Sequence, residues 1–214
     1  MTKIPIPTLI YHITSITNLV SVLKSGGLYC YRTLQGNRID YRNIAYSNIQ
    51  SRRAAKSIDC GSMGTLHDYV PFYFAPRSPM LYAINQGNVP GYTEGQEPVI
   101  YIVSTLDAVE STGLSFVFTD GHPIVVPSKS FDQFVKLDQV DWEIMKHQYW
   151  HDDDPKYPDR KRKRQAEFLI HQFFSWDLVT EIGVMNFNRK LQVEKLLDGY
   201  ANKPLVKTRV EWYY

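Results

Sequence analysis

Glu167 interrupts an apolar run, in Gln165-Ala166-Glu167-Phe168-Leu169-Ile170. An anion is costly to bury unless it is paired or solvated. Carboxylates held in such places are candidates for catalysis. Strand alternation also allows a plainer reading, a glutamate at a strand end on its polar face. A second candidate is Tyr11-His12-Ile13-Thr14, where a strand hands over to a helix. An imidazole there can hold a ligand hydroxyl, and the helix N-terminus beyond it favours phosphate. The alternative is a core histidine bonded to backbone. The third is His67-Asp68-Tyr69-Val70-Pro71-Phe72-Tyr73-Phe74-Ala75-Pro76-Arg77-Ser78-Pro79-Met80, with an aromatic residue at every second or third place. Such a stretch can line a groove for a flat ring, although Phe72 and Phe74 read as core. Positive charge gathers in two places, at Arg52, Arg53 and Lys56, and in the unbroken run Arg160-Lys161-Arg162-Lys163-Arg164. The net charge is only +2, so these patches suggest an anionic ligand at one place, or else a solvated face.

Other chemistries lack their residues. There is no GxGxxG, no GxxxxGK[ST] and no HExxH, so Rossmann, P-loop and zincin sites are not indicated. The six histidines are scattered, and His147, His151 and Asp152 make a weak zinc set. No metal is expected. The two cysteines, Cys30 and Cys60, form no CxxC pair and no disulfide framework. The N-terminal Met1–Leu9 carries Pro5 and Pro7 without the apolar core of a signal peptide. No stretch approaches the ~20 apolar residues of a membrane helix. The chain therefore reads as cytoplasmic.

These residues need a scaffold. With 214 residues, 43% hydrophobic and 21% charged, the chain reads as one domain, residues 1–214, able to bury a core unaided. The 15 tyrosines within a 14% aromatic content suit recognition surfaces as well as cores. Leu9–Ile13 reads as a strand. Ile16, Leu19, Val20 and Leu23 then repeat at helical spacing behind a Thr14 or Ser15 cap, stopped by Gly26-Gly27. Leu28–Asn43 is polar and turn-rich. Ser47–Ile58 holds a short helix carrying Arg52 and Arg53. Tyr69–Phe74 reads as a strand, with Pro71 favouring an edge or a bulge. Ser78–Asn85 is a helix with Pro79 in its first turn. Strands follow at Pro98–Val103 and Phe116–Phe118, and helices at Leu106–Ser111 and Ser128–Val135. Trp142–Arg164 is polar, aromatic and long, the kind of loop that is functional or disordered. Ala166–His171, Leu178–Met185 and Arg209–Tyr214 read as strands, and Asn186–Leu197 as an amphipathic helix. Strands and helices mix without βα alternation, which predicts an α+β fold.

Taken together, Tyr11-His12-Ile13-Thr14 with Gly26-Gly27-Leu28, then Ser51-Arg52-Arg53, then His67–Met80, then Arg164-Gln165-Ala166-Glu167-Phe168-Leu169 resemble the DarT family in order and spacing. These are the toxins of the DarTG toxin–antitoxin systems. The resemblance implies a PARP-like ADP-ribosyltransferase fold, with a mixed split β-sheet core and peripheral helices. It implies an enzyme that moves ADP-ribose from NAD+, its co-substrate, to a base in single-stranded DNA, thymine foremost and guanine as the other choice, so blocking replication. The partners implied are single-stranded DNA and a DarG-type macrodomain antitoxin. No membrane partner is expected, and the chain is expected to be a monomer.

Residue by residue, the resemblance makes Glu167 the catalytic carboxylate on the ribose 2′-hydroxyl, and Arg52 or Arg53 the catalytic arginine near phosphates and acceptor. His12 falls on the adenosine-side ribose. Thr14, Asn18 and Gly27 are further NAD+ contacts, and Tyr73 and Tyr82 stack on nicotinamide or its ribose. The stretch before the catalytic strand governs the acceptor in such enzymes. Here Arg160, Lys161, Arg162 and Arg164 are expected to meet DNA phosphates, and Tyr149, Trp150 and Tyr157 to stack on bases. Two rival readings are a transferase acting on protein or RNA, and a catalytically dead nucleic-acid-binding module, which would have no need of Glu167.

Overall fold

The chain was described through a computed structural model, which covers residues 3–153, 155–156 and 158–214. Ten strands and eight α-helices run in the order β1 (Leu9–Ser15), α1 (Leu19–Lys24), β2 (Gly27–Tyr29), α2 (Tyr31–Gly36), α3 (Ser47–Ala55), β3 (Tyr69–Tyr73), α4 (Pro79–Asn85), β4 (Val99–Thr105), α5 (Leu106–Thr112), β5 (Phe116–Thr119), β6 (Ser130–Phe131), α6 (Trp142–Lys146), α7 (Arg160–Lys163), β7 (Glu167–His171), β8 (Phe173–Ser175), β9 (Glu181–Val184), α8 (Phe187–Leu196) and β10 (Leu205–Thr208) among the described residues. One sheet has the order β10-β9-β4-β1-β3-β7-β5-β6, and β2 and β8 form a small second sheet. Among the described residues only β10 and β9 pair in parallel, so the large sheet is mixed.

The large sheet is split at its middle. β1 joins β4 along seven residue pairs, Leu9↔Thr105 to Ser15↔Val99, but joins β3 at Tyr11↔Tyr73 alone. Pro71 falls on this split. Its sequence suggested an edge, yet β3 lies between β1 and β7. The Pro71 carbonyl accepts a hydrogen bond from His12 on β1, so the amide positions of Pro71 face β1 and not β7. The missing N–H therefore costs no ladder bond, because that side of β3 has almost no ladder.

β7 explains how a glutamate is tolerated among apolar neighbours. Phe168, Leu169 and Ile170 are fully buried. Period-two alternation sends Phe168 and Ile170 into the main core with Phe72, Phe118 and Phe174. Leu169 joins a smaller cluster with Ile58, Leu66, Tyr69 and Val117 on the opposite face, and Glu167 shares that face. Its direct cross-strand neighbour is Tyr73.

Two expectations from local pattern differ from the structure. Ser128–Val135 is not an α-helix: Ser130–Phe131 form β6, and only Phe134 and Val135 are helical, as the start of a 3₁₀ segment that runs to Gln139. Phe131 stacks on Phe118 with ring centroids 5.3 Å apart, and Phe134 packs on Phe116 at 4.2 Å. Packing against β5 decides the backbone there, over any local preference. Arg209–Tyr214 does not close the chain as a strand either. The strand is β10, and Val210–Trp212 form a single 3₁₀ turn. The turn drops Trp212 edge-on against Tyr11 and Tyr101 and lets the Tyr213 hydroxyl reach the Val99 carbonyl at 2.7 Å.

Candidate active site

A cleft of about 760 Å³ opens along the split, walled by β1, β2, α3, β3 and the residues preceding β7. That volume is within the range of small-molecule sites. At one wall the Arg53 Nη1 donates to both carboxylate oxygens of Glu167, at 2.8 Å and 2.9 Å. Both side chains are nearly sealed, at 10% and 4% exposure. The two residues are 114 positions apart. Burial works against the Arg53 charge, but the Glu167 carboxylate outweighs it and holds the guanidinium pKa above its ordinary value. The Arg53 Nη2 is buried without a partner among the described residues, an unsatisfied donor beside the carboxylate. The adjacent Arg52 is exposed and makes one long bond, Nη2 to the Ile124 carbonyl at 3.3 Å.

His12 also lines the cleft. Its Nδ1 lies 2.8 Å from the Pro71 carbonyl. A carbonyl can only accept, so Nδ1 carries the hydrogen. Burial lowers the imidazole pKa, the Pro71 bond offsetting this only in part. The ring is therefore neutral near pH 7, and Nε2 is an acceptor suited to a sugar hydroxyl. Tyr73 is half-buried, with its hydroxyl 3.8 Å from the Met80 sulfur. Burial, then the nearby Glu167 charge, push its pKa well above the ordinary phenol value, so it stays a neutral donor. Gly27 lies on the cleft wall where β2 pairs with β8. A Cβ there would overlap the Phe174 carbonyl and the Phe173 ring, so only glycine fits.

Thr14 and Asn18 line the cleft, but their polar atoms largely serve each other. The Asn18 amide donates to the Thr14 hydroxyl and to the Arg42 carbonyl, both at 2.9 Å. Its oxygen accepts the Arg42 N–H at 2.6 Å. Asn18 thus ties the 37–46 segment over the cleft.

Several residues expected at the site lie elsewhere. Tyr82 is not on the cleft wall; its ring is boxed in by Trp150, His151 and Tyr214. Trp150 is buried at 2% exposure and donates its indole N–H to the Tyr214 hydroxyl at 2.7 Å. It is a core residue and offers no face to a base. Arg164 is 4% exposed, with its guanidinium spent on the carbonyls of Pro76, Ile144 and Met145; no phosphate can reach it. Arg162 is bound by Asp120, Ser128 and Asp159 and is not a free DNA contact. Lys161 is exposed at the cleft mouth, Tyr149 is 54% exposed, and Arg160 is half-buried. Tyr157 lies outside the described residues.

Two further histidines line the cleft, His67 at the head of the third candidate stretch and His122, and neither was assigned a role of its own. His67 bonds Gln50 at 3.1 Å and packs on Tyr31 at 4.2 Å. Gln50 sits one turn before Arg53, so this contact braces α3. His122 read only as part of the Asp120-Gly121-His122-Pro123 turn. It lines the cleft, and its buried Nδ1 has no partner among the described residues. Burial lowers its pKa; Glu167 pulls the other way, and Arg53 and Arg52 add to the lowering. No group of three or more His, Cys, Asp or Glu residues is placed to hold a metal among the described residues.

A split mixed sheet with a glutamate at the start of a central strand, on the cleft wall, is the arrangement that the resemblance implies for an ADP-ribosyltransferase. Comparison with known proteins narrows this. The family model for the ssDNA thymidine ADP-ribosyltransferase DarT matches residues 11–214, and the chain belongs to that family. The DNA ADP-ribosyl transferase of Thermus sp. strain 2.9 is 43% identical over 212 residues, covering 98% of each chain. The solved Thermus sp. 2.9 DarT in complex with ADP-ribosylated ssDNA is similar at a TM-score of 0.91 and 43% identity, over 100% of this chain and 99% of that one. The same DarT in complex with NAD+ matches at 0.88 and 41% identity, over 99% and 100%.

Proposed function

We infer that this chain transfers ADP-ribose from NAD+ to thymine in single-stranded DNA. The observation that carries the reading is the sealed Arg53–Glu167 pair in a cleft of cofactor size, in a chain of this family. Loss of nicotinamide leaves a ribose with oxocarbenium character at C1. A carboxylate fixed in a water-poor wall stabilises that charge without reorganising at the moment of reaction, an effect on the order of 3–4 kcal/mol for one group. Glu167 accepts the 2′-hydroxyl of that ribose. Arg53 keeps the carboxylate aimed, and its unpartnered Nη2 turns to the diphosphate or the acceptor. His12 Nε2 accepts a hydroxyl of the adenosine-side ribose, and Tyr73 lies against the nicotinamide end. Of the two arginines, Arg53 is assigned to catalysis and Arg52, on the rim, to the DNA strand.

The acceptor is unpaired, because thymine N3 is hidden on the Watson–Crick edge of a duplex, and extruding the base would cost a few kcal/mol. Lys161 and Arg52 give the cleft mouth its charge, and the exposed Tyr149 offers a ring of the kind an open strand uses. As a base-modifying activity of this kind stops a template from being copied, the chain acts as a toxin in the cytoplasm, held in check by a macrodomain antitoxin that removes the modification. The test is mass spectrometry of a mixed-sequence single-stranded oligonucleotide after incubation with NAD+. One ADP-ribose per modified thymine is expected, with the matching duplex far slower. Label appearing on protein or tRNA instead, or on no polymer, would overturn the reading.

A further inference from the structure

The cleft has a cover whose fastening lies outside it. Tyr41 to Tyr46 line the cleft yet form neither helix nor strand. From Asp40 to Ala45 no backbone group bonds another backbone group among the described residues. A side chain holds the Arg42 backbone instead. Asn18 is buried, donates to the Arg42 carbonyl at 2.9 Å and accepts its N–H at 2.6 Å. Two residues on, Ile44 is buried with Tyr11, Leu81 and Tyr92. The Arg42 side chain reaches across to the 86–98 connection between α4 and β4. Its Nε and Nη2 meet Glu94 Oε1 at 2.8 Å and 2.7 Å. Its guanidinium carbon lies 5.3 Å from the centre of the Tyr92 ring. Tyr92 is buried and roots that connection in the core, while the Arg42 and Glu94 side chains are both 40% exposed. Neither Tyr92 nor Glu94 lines the cleft.

We propose that residues 37–46 form a strap that gates the cleft, and that the Arg42–Glu94 pair is its latch, with Arg42 the positioning residue that sets how fast NAD+ enters and leaves. The inference rests on the reading of the cleft as an NAD+ site argued above. Every contact that holds the strap is made by the protein itself, so the latch acts equally before and after NAD+ is seated. Free energy that favours the closed strap in both states shifts no binding equilibrium. It slows entry and exit by the same factor, as a gate does. A direct contact to NAD+ acts differently, slowing exit alone and so tightening binding. The Asn18 clamp is buried and constant. The Arg42–Glu94 pair is half-exposed and is the part that dissolved ions screen. The strap runs on into α3, which begins at Ser47 and carries Arg53. Closing the strap therefore also fixes the start of the helix that holds Arg53 against Glu167.

The experiment reads the exit rate of NAD+ from the line shapes of its nicotinamide protons and Kd from calorimetry, the entry rate following from their ratio. The parent chain carries Glu167→Gln so that NAD+ is not consumed, and E94Q, E94R, R42E and the swap R42E/E94R are added to it, with folding checked by thermal unfolding. Calorimetry on the wild-type chain comes first, because failure to bind NAD+ would refute the reading of the cleft and is a separate result. E94Q is expected to raise the entry and exit rates together by about threefold to fivefold, the upper range for a half-exposed pair, with Kd unchanged. E94R and R42E should each go further, since they set like charges against one another. The swap should bring the exit rate back towards that of the parent. Added salt, to ~0.5 M, should speed exit from the parent and leave E94Q flat, a readout that needs no disruptive variant. An exit rate in E94Q equal to that of the parent overturns the proposal. So does a loss of affinity in R42E that the swap fails to repair, the result expected if Arg42 binds the diphosphate directly.

Discussion

Arg52 and Arg53 are neighbours on α3, turned about 100° from one another by the helix. That rotation puts one on the rim and the other on Glu167. Because the pair is sealed, the two ways of removing Glu167 have different consequences. Glu167→Gln keeps an oxygen for Arg53 and should leave the fold close to native. Its kcat should still fall at least ~10²-fold, because a neutral amide cannot stabilise the developing ribose cation. Glu167→Ala strips Arg53 of its counter-charge, and a buried cation without a partner costs on the order of 3–5 kcal/mol. The alanine variant should therefore lose stability as well as activity. Parallel urea titrations and single-turnover assays separate these effects. Turnover by the glutamine variant within a few-fold of wild type would remove Glu167 from the chemistry. Arg53→Ala should likewise abolish transfer, while Arg52→Ala should chiefly weaken DNA binding.

At the scale of elements, what was legible in the sequence was what is local. β1, β3, β7 and α8 announce themselves through apolar periodicity and caps. Ser78 accepts from the Leu81 N–H ahead of α4, and Asn186 accepts from the Arg189 N–H ahead of α8, as the cap rules expect. Glu167 was legible because a carboxylate in an apolar strand breaks a local pattern. Everything decided by distant partners was not. Arg160 to Arg164 is one run of charge in the sequence, yet Arg162 is taken by Asp120 and Ser128, 42 and 34 positions away, and Arg164 by the Pro76 carbonyl, 88 positions away. Trp150 looked like a stacking platform because nothing nearby shows Tyr214 waiting for its indole. Gly27 is an intermediate case. Its glycine marks the end of α1, but the stronger reason for it lies across the small sheet, in the Phe174 carbonyl. Gly27→Ala should push β2 away from β8 at a cost on the order of 1–3 kcal/mol. It should also raise the KM for NAD+, since β2 walls the cleft. Equilibrium unfolding and NAD+ titration would check both, and an alanine variant with wild-type values in each would show that the wall adapts.

For the whole molecule, three histidines from different elements share a condition. His12 on β1, His67 ahead of β3 and His122 after β5 all have pKa values lowered, first of all by burial. In the unfolded chain each titrates near 6.5. Below that pH the unfolded state takes up protons that the folded state cannot, so their contribution to stability is intact above about pH 6.5 and is lost as the pH falls through the lowered folded values. Each such proton adds up to about 1.4 kcal/mol of lost stability per pH unit while it is bound only by the unfolded chain. A second acidic window lies lower. Asp68, Asp141 and Glu181 have pKa values that burial would raise but hydrogen bonds from Arg32, Lys163 and Arg209 bring down. Their share persists until the pH drops below the unfolded carboxylate range near 4. Urea unfolding between pH 8 and pH 3 should therefore show a plateau, a decline beginning near pH 6.5, and a further decline below about pH 4. Replacing His67 by asparagine should make the first decline shallower and leave the second unchanged. Saturating NAD+ should raise stability across the plateau but leave the onset near pH 6.5 where it is, because the unfolded histidines set it; a ligand that needs His12 neutral lowers that folded imidazole's pKa further and so carries the decline to lower pH. A stability flat from pH 7 to pH 5 would mean that the cleft admits enough water to let these histidines protonate freely, and the acceptor on His12 would then be lost at mildly acidic pH along with its hold on the ribose.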